Sequence, residues 1–256
     1  MKKRRILYWI CVLFCTGGLL VFGWLFFQQW QEYRMGELAY DKLQKSVVSV
    51  PQKTPAQQPS IPFQEEIQLE LPQVDFEALA DINPEVVGWL YCPNTVISYP
   101  VPQGENNSYY LNHLFDGTRN SAGSLFLDSR CQGLTGQNSV IYGHYMKNGT
   151  LFASLSKYQE QAYYEAHPEL FLITPENTLT IRLFSAYIAG ENDDAWQLTF
   201  SSQEEYGAWL ERILERSCFT SEVIPQSTDR VITLSTCNYM FPGARFVCHG
   251  VVDTLR

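Results

Sequence analysis

The segment Thr233-Leu234-Ser235-Thr236-Cys237, with Arg245 eight residues beyond it, holds the residue types that make a thiol nucleophilic. A thiol attacks a carbonyl only as thiolate, so it needs a cation or a histidine beside it. The apolar run Val231–Leu234 predicts a strand with Cys237 just past its mouth, among the polar residues Ser235, Thr236 and Asn238. Cys92 and Cys248 sit within apolar runs and read as buried small hydrophobes. Four histidines are available as partners. His113, in NSYYLNHLF, and His167, before Pro168, read as surface or capping groups. His144 follows Gly143 in VIYGHYM, past a predicted strand, where a missing Cβ lets backbones approach and where sites tend to form. His249 has the phase of Arg245 along the last predicted strand, so spacing alone leaves both His144 and His249 open. Arg245, on an apolar strand, requires a specific partner, either a carboxylate in a structural salt bridge or a bound substrate.

These residues must be carried to the right compartment and held by a scaffold. Met-Lys-Lys-Arg-Arg precedes 22 residues, Ile6 to Phe27, without a charge, which is long enough to cross a bilayer. The four cations hold the N-terminus in the cytoplasm and leave everything after Phe27 outside. A cleaved signal peptide is the rival reading, but no small-x-small site follows the apolar run, which ends in FFQQW. The expectation is an uncleaved anchor over 1–27, a stalk and Pro-rich linker over 28–73, and one domain over 74–256. The net charge of −9 becomes −13 once the four N-terminal cations are set aside, which argues against a nucleic-acid partner. Seven cysteines, two of them in the apolar run, leave an odd number outside it, so at least one exported thiol is free. No ligand spacing suggests a metal, and no cofactor is implied.

Within the domain, Asp75 predicts the N-cap of a helix running to Ile82 and stopped by Pro84. Val86–Cys92 and Thr95–Val101 flank Pro93-Asn94 as a hairpin. Six further strands are expected at Ser124–Leu127, Ser139–Tyr142, Leu170–Thr174, Leu179–Ala189, Val231–Leu234 and Arg245–Val252. A short helix is expected over Leu151–Tyr158. An amphipathic one spans Ser202–Arg216, with Ser202 and Glu205 as a capping box and Tyr206, Trp209, Leu210, Ile213 and Leu214 on one face. Eight short strands with small helical insertions predict a mainly β closed barrel or sandwich.

The chain resembles a sortase, and among sortases it is most similar to class B. The resemblance rests on the N-terminal anchor, DFEALADINPEVVGWLYCPNTVISYPV, NSYYLNHLF, SVIYGHYMKNGTLFASL, the long helix, and TLSTC followed by ARFV, together spanning residues 74–252. It implies an eight-stranded closed β-barrel with the helix at Ser202–Arg216 inserted before the seventh strand. The family's histidine falls on His144, its nucleophile on Cys237 and its arginine on Arg245, with substrate contacts on Asn107, Leu111 and Ser235. Asn238 departs from the Thr or Glu often found after the cysteine, which leaves the preferred sorting motif open. Such an enzyme cleaves a C-terminal sorting signal of secreted proteins through a thioacyl intermediate. It then joins the new carboxyl to a peptidoglycan-precursor amine or, in the pilin-polymerising alternative, to a pilin amine. A wall enzyme of the L,D-transpeptidase kind is a rival, but its Ser-x-Gly-Cys segment is absent. A rival of another class is a non-catalytic anchored wall-binding module in which Cys237 is merely buried.

Overall fold

Runs of β-branched and aromatic residues broken by turn formers become strands, as expected, but their lengths are set by pairing partners rather than by the runs themselves. The computed structural model describes residues 2–49, 70–237 and 243–254, apart from the side chains at 2–5, 7, 11, 237 and 254. Its elements in order are α1 (Lys2–Val47), β1 (Val48–Ser49), β2 (Gln73–Val74), α2 (Phe76–Ile82), β3 (Val86–Tyr91), β4 (Ser98–Pro102), β5 (Phe126–Leu127), β6 (Asn138–Gly143), α3 (Gln161–Ala166), β7 (Glu169–Ile173), β8 (Thr178–Ala189), α4 (Gln203–Glu215), β9 (Val231–Cys237) and β10 (Arg245–Thr254). Single 3₁₀ segments cover Tyr109–Leu111, Phe152–Gln159 and Asp194–Trp196.

Eight strands form one sheet in the order β4-β3-β7-β8-β10-β9-β6-β5, curled into a nearly closed barrel. β6 and β9 run parallel, and the other pairs are antiparallel. Across the seam between β4 and β5, Gln103 Nε2 donates to the carbonyls of Asp128 and Cys131 at 3.0 and 2.8 Å. Leu90, Leu127, Ile141, Leu172, Ile181, Leu234, Phe246 and Cys248 fill the interior.

Asp75 caps α2 as expected, its carboxylate accepting from Ala78 N at 3.0 Å. Ser202 likewise caps α4, accepting from Glu205 N at 3.1 Å. The capping box differs in its return bond, because Glu205 reaches the N–H and hydroxyl of Ser201 instead of the N–H of Ser202. The buried stripe Tyr206, Trp209, Leu210 and Ile213 packs on Phe184, Val231, Val247 and Val251, so α4 covers the outer face of β8, β9 and β10. Burying a side chain such as Trp209 contributes roughly 2–3 kcal/mol, more than the cap, so packing rather than propensity holds α4.

The segment after Phe27, expected as a stalk, continues the apolar helix, and its residues bond to the barrel. Asn120 Nδ2 donates to Glu32 O, Asn148 Nδ2 to Glu37 Oε1, Tyr40 Oη to Gly123 O and Gln44 Nε2 to Ser98 Oγ, at 2.7–2.9 Å. Most of the expected linker, 50–69, lies outside the described residues. Its two flanks meet, since Val48 pairs with Val74 and Ser49 with Gln73. Residues 8–47 of α1 include a stretch long and apolar enough to cross a membrane.

Candidate active site

β9 is three residues longer than the apolar run implies, because β10 supplies main-chain partners as far as Cys237. In that register Cys237 lies opposite Arg245, Ser235 opposite Val247 and Thr233 opposite His249. Alternation gives position 237 the parity of Ser235 and Thr233. The side chain of Cys237, and Asn238 that follows it, lie outside the described residues. β6 runs parallel to β9 and ends level with it, with Gly143 opposite Thr236. The residue after Gly143 is His144, so two parallel strand ends bring the histidine and the cysteine segment together across a single ladder.

Gly143 makes that placement possible. A Cβ there would lie 2.3 Å from Leu125 Cδ2 and 2.7 Å from Phe152 Cδ2, so the backbone leading to His144 is pressed onto the core. His144 Nε2 lies 2.7 Å from the carbonyl oxygen of Leu111. A carbonyl only accepts, so Nε2 carries the proton, and Leu111 thereby sets the ring's orientation and tautomer. Leu111 sits on the 3₁₀ turn Tyr109–Leu111, whose start is tied by Asn106 Oδ1 to the N–H groups of Ser108 and Tyr109.

A cavity of about 200 Å³ opens here, lined by Asn107, Leu111, Phe126, Tyr142, Gly143, His144, Ser235, Thr236 and Arg245. Five of the six residues expected at the site thus line one cavity, and the sixth, Cys237, is the register partner of Arg245. The arginine makes no salt bridge with any described carboxylate, and its guanidinium donates to Ala244 O at 3.2 Å. The structural reading of Arg245 therefore has no partner among the described residues. Ser235 is buried, and its Oγ accepts from Trp196 Nε1 at 2.9 Å. With one lone pair engaged, its own O–H is left to donate. Thr236 Oγ1 has no hydrogen-bond partner among the described residues.

Beneath the cavity a polar cluster fixes its floor. Asp128 is fully buried and takes a two-point contact from Arg130, Nε and Nη2 at 3.0 and 2.7 Å, with Tyr142 Oη at 3.0 Å. Burial alone raises the Asp128 pKa, but the bonds from Arg130 and Asn107 outweigh it and hold the carboxyl at about 2. Asn107 Oδ1 also accepts from Ser129 N at 2.8 Å, so this side chain braces the loop after β5 as well as lining the cavity. Phe126, Tyr142 and Trp196 carry no signal in the sequence that marks them for this site. The even-numbered spacing of Ser235 and Cys237 signals nothing about Trp196, which arrives from a separate turn.

The competitor His249 lies elsewhere. It is fully buried under α4, where Trp209 meets it edge-on at 5.8 Å and Tyr187 stacks at 5.4 Å. Thr233 Oγ1 lies 2.7 Å from Asn138 Oδ1 and 2.9 Å from His249 Nδ1. The threonine proton goes to Asn138, so His249 donates through Nδ1, and Nε2 has no partner among the described residues. Burial, reinforced by the Arg216 cation, lowers its pKa to about 3. It stays neutral and plays a structural part. His113 stacks on Tyr109 with centroids 4.0 Å apart, and His167 forms the C-cap of α3, both as expected. The described thiols outside the membrane-length helix, Cys92, Cys131, Cys218 and Cys248, are all pushed up by burial, most strongly Cys248. No group of three or more potential metal-ligating side chains clusters among the described residues.

Comparison with known proteins places this geometry. A family model described as a sortase domain matches residues 90–252. Sortase B of Staphylococcus aureus is 30% identical over 238 residues, covering 93% of this chain and 91% of that protein. The Staphylococcus aureus sortase B–substrate complex has a TM-score of 0.68 at 30% identity, covering 71% of this chain and 85% of that one. A sortase B complexed with triglycine has a TM-score of 0.68 at 31% identity, covering 71% and 86%.

Proposed function

The chain belongs to the sortase family of cysteine transpeptidases, in its class B, and on that premise we propose that Cys237, His144 and Arg245 perform the transfer at the cavity between β6, β9 and β10. The observation that carries the reading is the convergence of Asn107, Leu111, His144, Ser235 and Arg245 on one cavity, with Cys237 at the register position facing Arg245. The substrate is a secreted protein with a C-terminal sorting signal, and the acceptor is an amine of the cell-wall peptidoglycan. The relatives bound to a substrate and to triglycine support both halves of that pairing. Residues 1–27 anchor the enzyme in the membrane, the catalytic domain lies outside, and α1 carries it on a rigid support.

Chemically, the Cys237 sulfur attacks the carbonyl carbon before the scissile bond, and the C–N electrons leave with the departing amine. His144 as imidazolium protonates that amine. As imidazole it then takes a proton from the incoming amine, which attacks the thioester and releases the thiolate. The bond from Nε2 to Leu111 makes Nδ1 the nitrogen for proton exchange. Arg245, without a carboxylate partner among the described residues, donates to the oxyanion of both tetrahedral intermediates. Ser235 donates its hydroxyl proton to the sorting signal, while Leu111 and Phe126 supply apolar contact. No step needs a metal or a cofactor.

The test uses the full chain in detergent with a panel of sorting-signal peptides and candidate amines, followed by mass spectrometry. At least one peptide is expected to be cleaved and joined to an amine, and Cys237→Ala is expected to stop both. Peptidoglycan-like and pilin-like amines in the panel separate wall anchoring from pilin polymerisation. Cleavage that survives Cys237→Ala contradicts the proposal.

A further inference from the structure

A second cavity, of about 530 Å³, is walled in part by the residues that follow His144. Residues 145–149, directly after the histidine, form one wall, the turn at 94–96 another, and the segments at 153–157 and 163–167 the rest. Its charged lining is Lys147 and Lys157, with no carboxylate, in a chain that carries 27 acidic against 18 basic side chains. Neither lysine is in a salt bridge among the described residues. Lys157 Nζ instead sits 5.6 Å from the Tyr163 ring.

At the back of this cavity Ser154 is only 5% exposed, and its Oγ has no hydrogen-bond partner among the described residues. The Tyr163 hydroxyl is near it but outside hydrogen-bonding geometry. A buried hydroxyl without a partner is unfavourable and marks a place where a ligand atom can complete the site. Two ammonium groups at the mouth and a hydroxyl donor at the back suit an oxyanion. His167 Nδ1 is committed to Pro93 O at 3.1 Å, which fixes its ring in the wall.

We propose that this cavity seats a carboxylate of the amine-bearing acceptor peptide. The proposal rests on the transpeptidase reading above and adds where the second substrate is held. One segment carries His144 and also walls the cavity, so a carboxylate held here lies beside the segment of the histidine proposed to serve the incoming amine. The local positive field offsets the repulsion that a strongly acidic domain exerts on an anionic acceptor.

The test compares two acceptor tripeptides that differ only at the C-terminus, free carboxylate against carboxamide, in transpeptidation by the full chain in detergent. The wild type is expected to show a KM about tenfold lower for the carboxylate, as one charge-assisted contact provides. Lys147→Gln with Lys157→Gln is expected to erase that difference while leaving kcat and the rate of hydrolysis without acceptor unchanged. Ser154→Ala is expected to raise the carboxylate KM alone. An NMR shift titration with the N-acetylated carboxylate peptide reads the cavity directly, in wild type and in the double variant. If no sorting peptide is cleaved, the function falls while the titration still reports on this cavity. Equal KM values for both peptides in the wild type, a preference that survives the double variant, or shifts that are the same in both proteins would overturn the proposal.

Discussion

The two ends of the β9–β10 ladder are built on the same strands and the same face, yet they carry different chemistry. At one end, Thr233 and His249 are sealed beneath α4, and the histidine is neutral because its ring is buried and its second nitrogen has no partner among the described residues. At the other end, α4 has ended its cover, and Cys237 and Arg245 pair at the rim of a cavity. Residue type does not separate the structural histidine from the one proposed for catalysis. Cover does, and cover comes from the helix inserted between β8 and β9.

The comparison breaks if the rim residues prove replaceable. His144→Ala is expected to slow transpeptidation by about 10²–10⁴-fold, the usual weight of positioned acid–base catalysis. Arg245→Lys, which keeps the charge but loses the planar donors, is expected to cost about 10²–10³-fold in kcat. Unchanged circular dichroism and thermal midpoint for both variants should accompany these losses, and near-wild-type rates for either would remove that residue from the mechanism.

The placement of the rim depends on Gly143. Gly143→Ala forces a methyl group onto Leu125 and Phe152 and is expected to destabilise the domain by about 1–3 kcal/mol. Because His144 moves with it, activity measured per folded molecule should also fall, which a urea melt and a rate assay on the same sample would show.

The sealed end should answer to pH instead. The folded pKa of His249 lies near 3, below its ordinary 6.5, so the unfolded chain binds the extra proton between those values. Stability is then fully present above pH 6.5 and is lost as pH falls toward 3, by up to about 1.4 kcal/mol per pH unit. His249→Gln is expected to flatten the urea midpoint between about pH 6.5 and 4.5 while leaving the transfer rate per folded molecule at neutral pH unchanged. The smallest effect is expected from Trp196→Phe, which releases Ser235 Oγ. A several-fold rise in KM for the sorting peptide with kcat unchanged would mark Trp196 as a positioning residue.

Much of this was legible in the residues, and what was not has a common cause. Local signals reported truly: Asp75 and Ser202 cap the helices expected of them, and the eight runs became eight barrel strands. The residues proposed for the chemistry were nameable because their order, His144 then Cys237 then Arg245, could be matched to a family. Long-range pairing was not. The extension of β9 to Cys237 needs β10, the parallel neighbour β6 lies far back along the chain, and the burial of His249 needs a helix that its own strand does not announce. The contacts of the segment after Phe27 with the barrel were not legible from composition, because the groups it meets, such as Gly123 and Asn148, lie far along the chain. The Trp196 contact with Ser235 is of the same kind.

The central claim is that a covalent acyl group passes through Cys237. Intact-mass spectrometry of the full chain, quenched with acid during turnover of a sorting peptide without acceptor amine, tests it most directly. The account predicts one adduct whose mass equals the peptide's N-terminal fragment bound as a thioester, mapped by proteolysis to Cys237 and discharged on adding the amine. Turnover with no such adduct, or an adduct on Cys92, Cys131, Cys218 or Cys248 that the amine discharges, would contradict it.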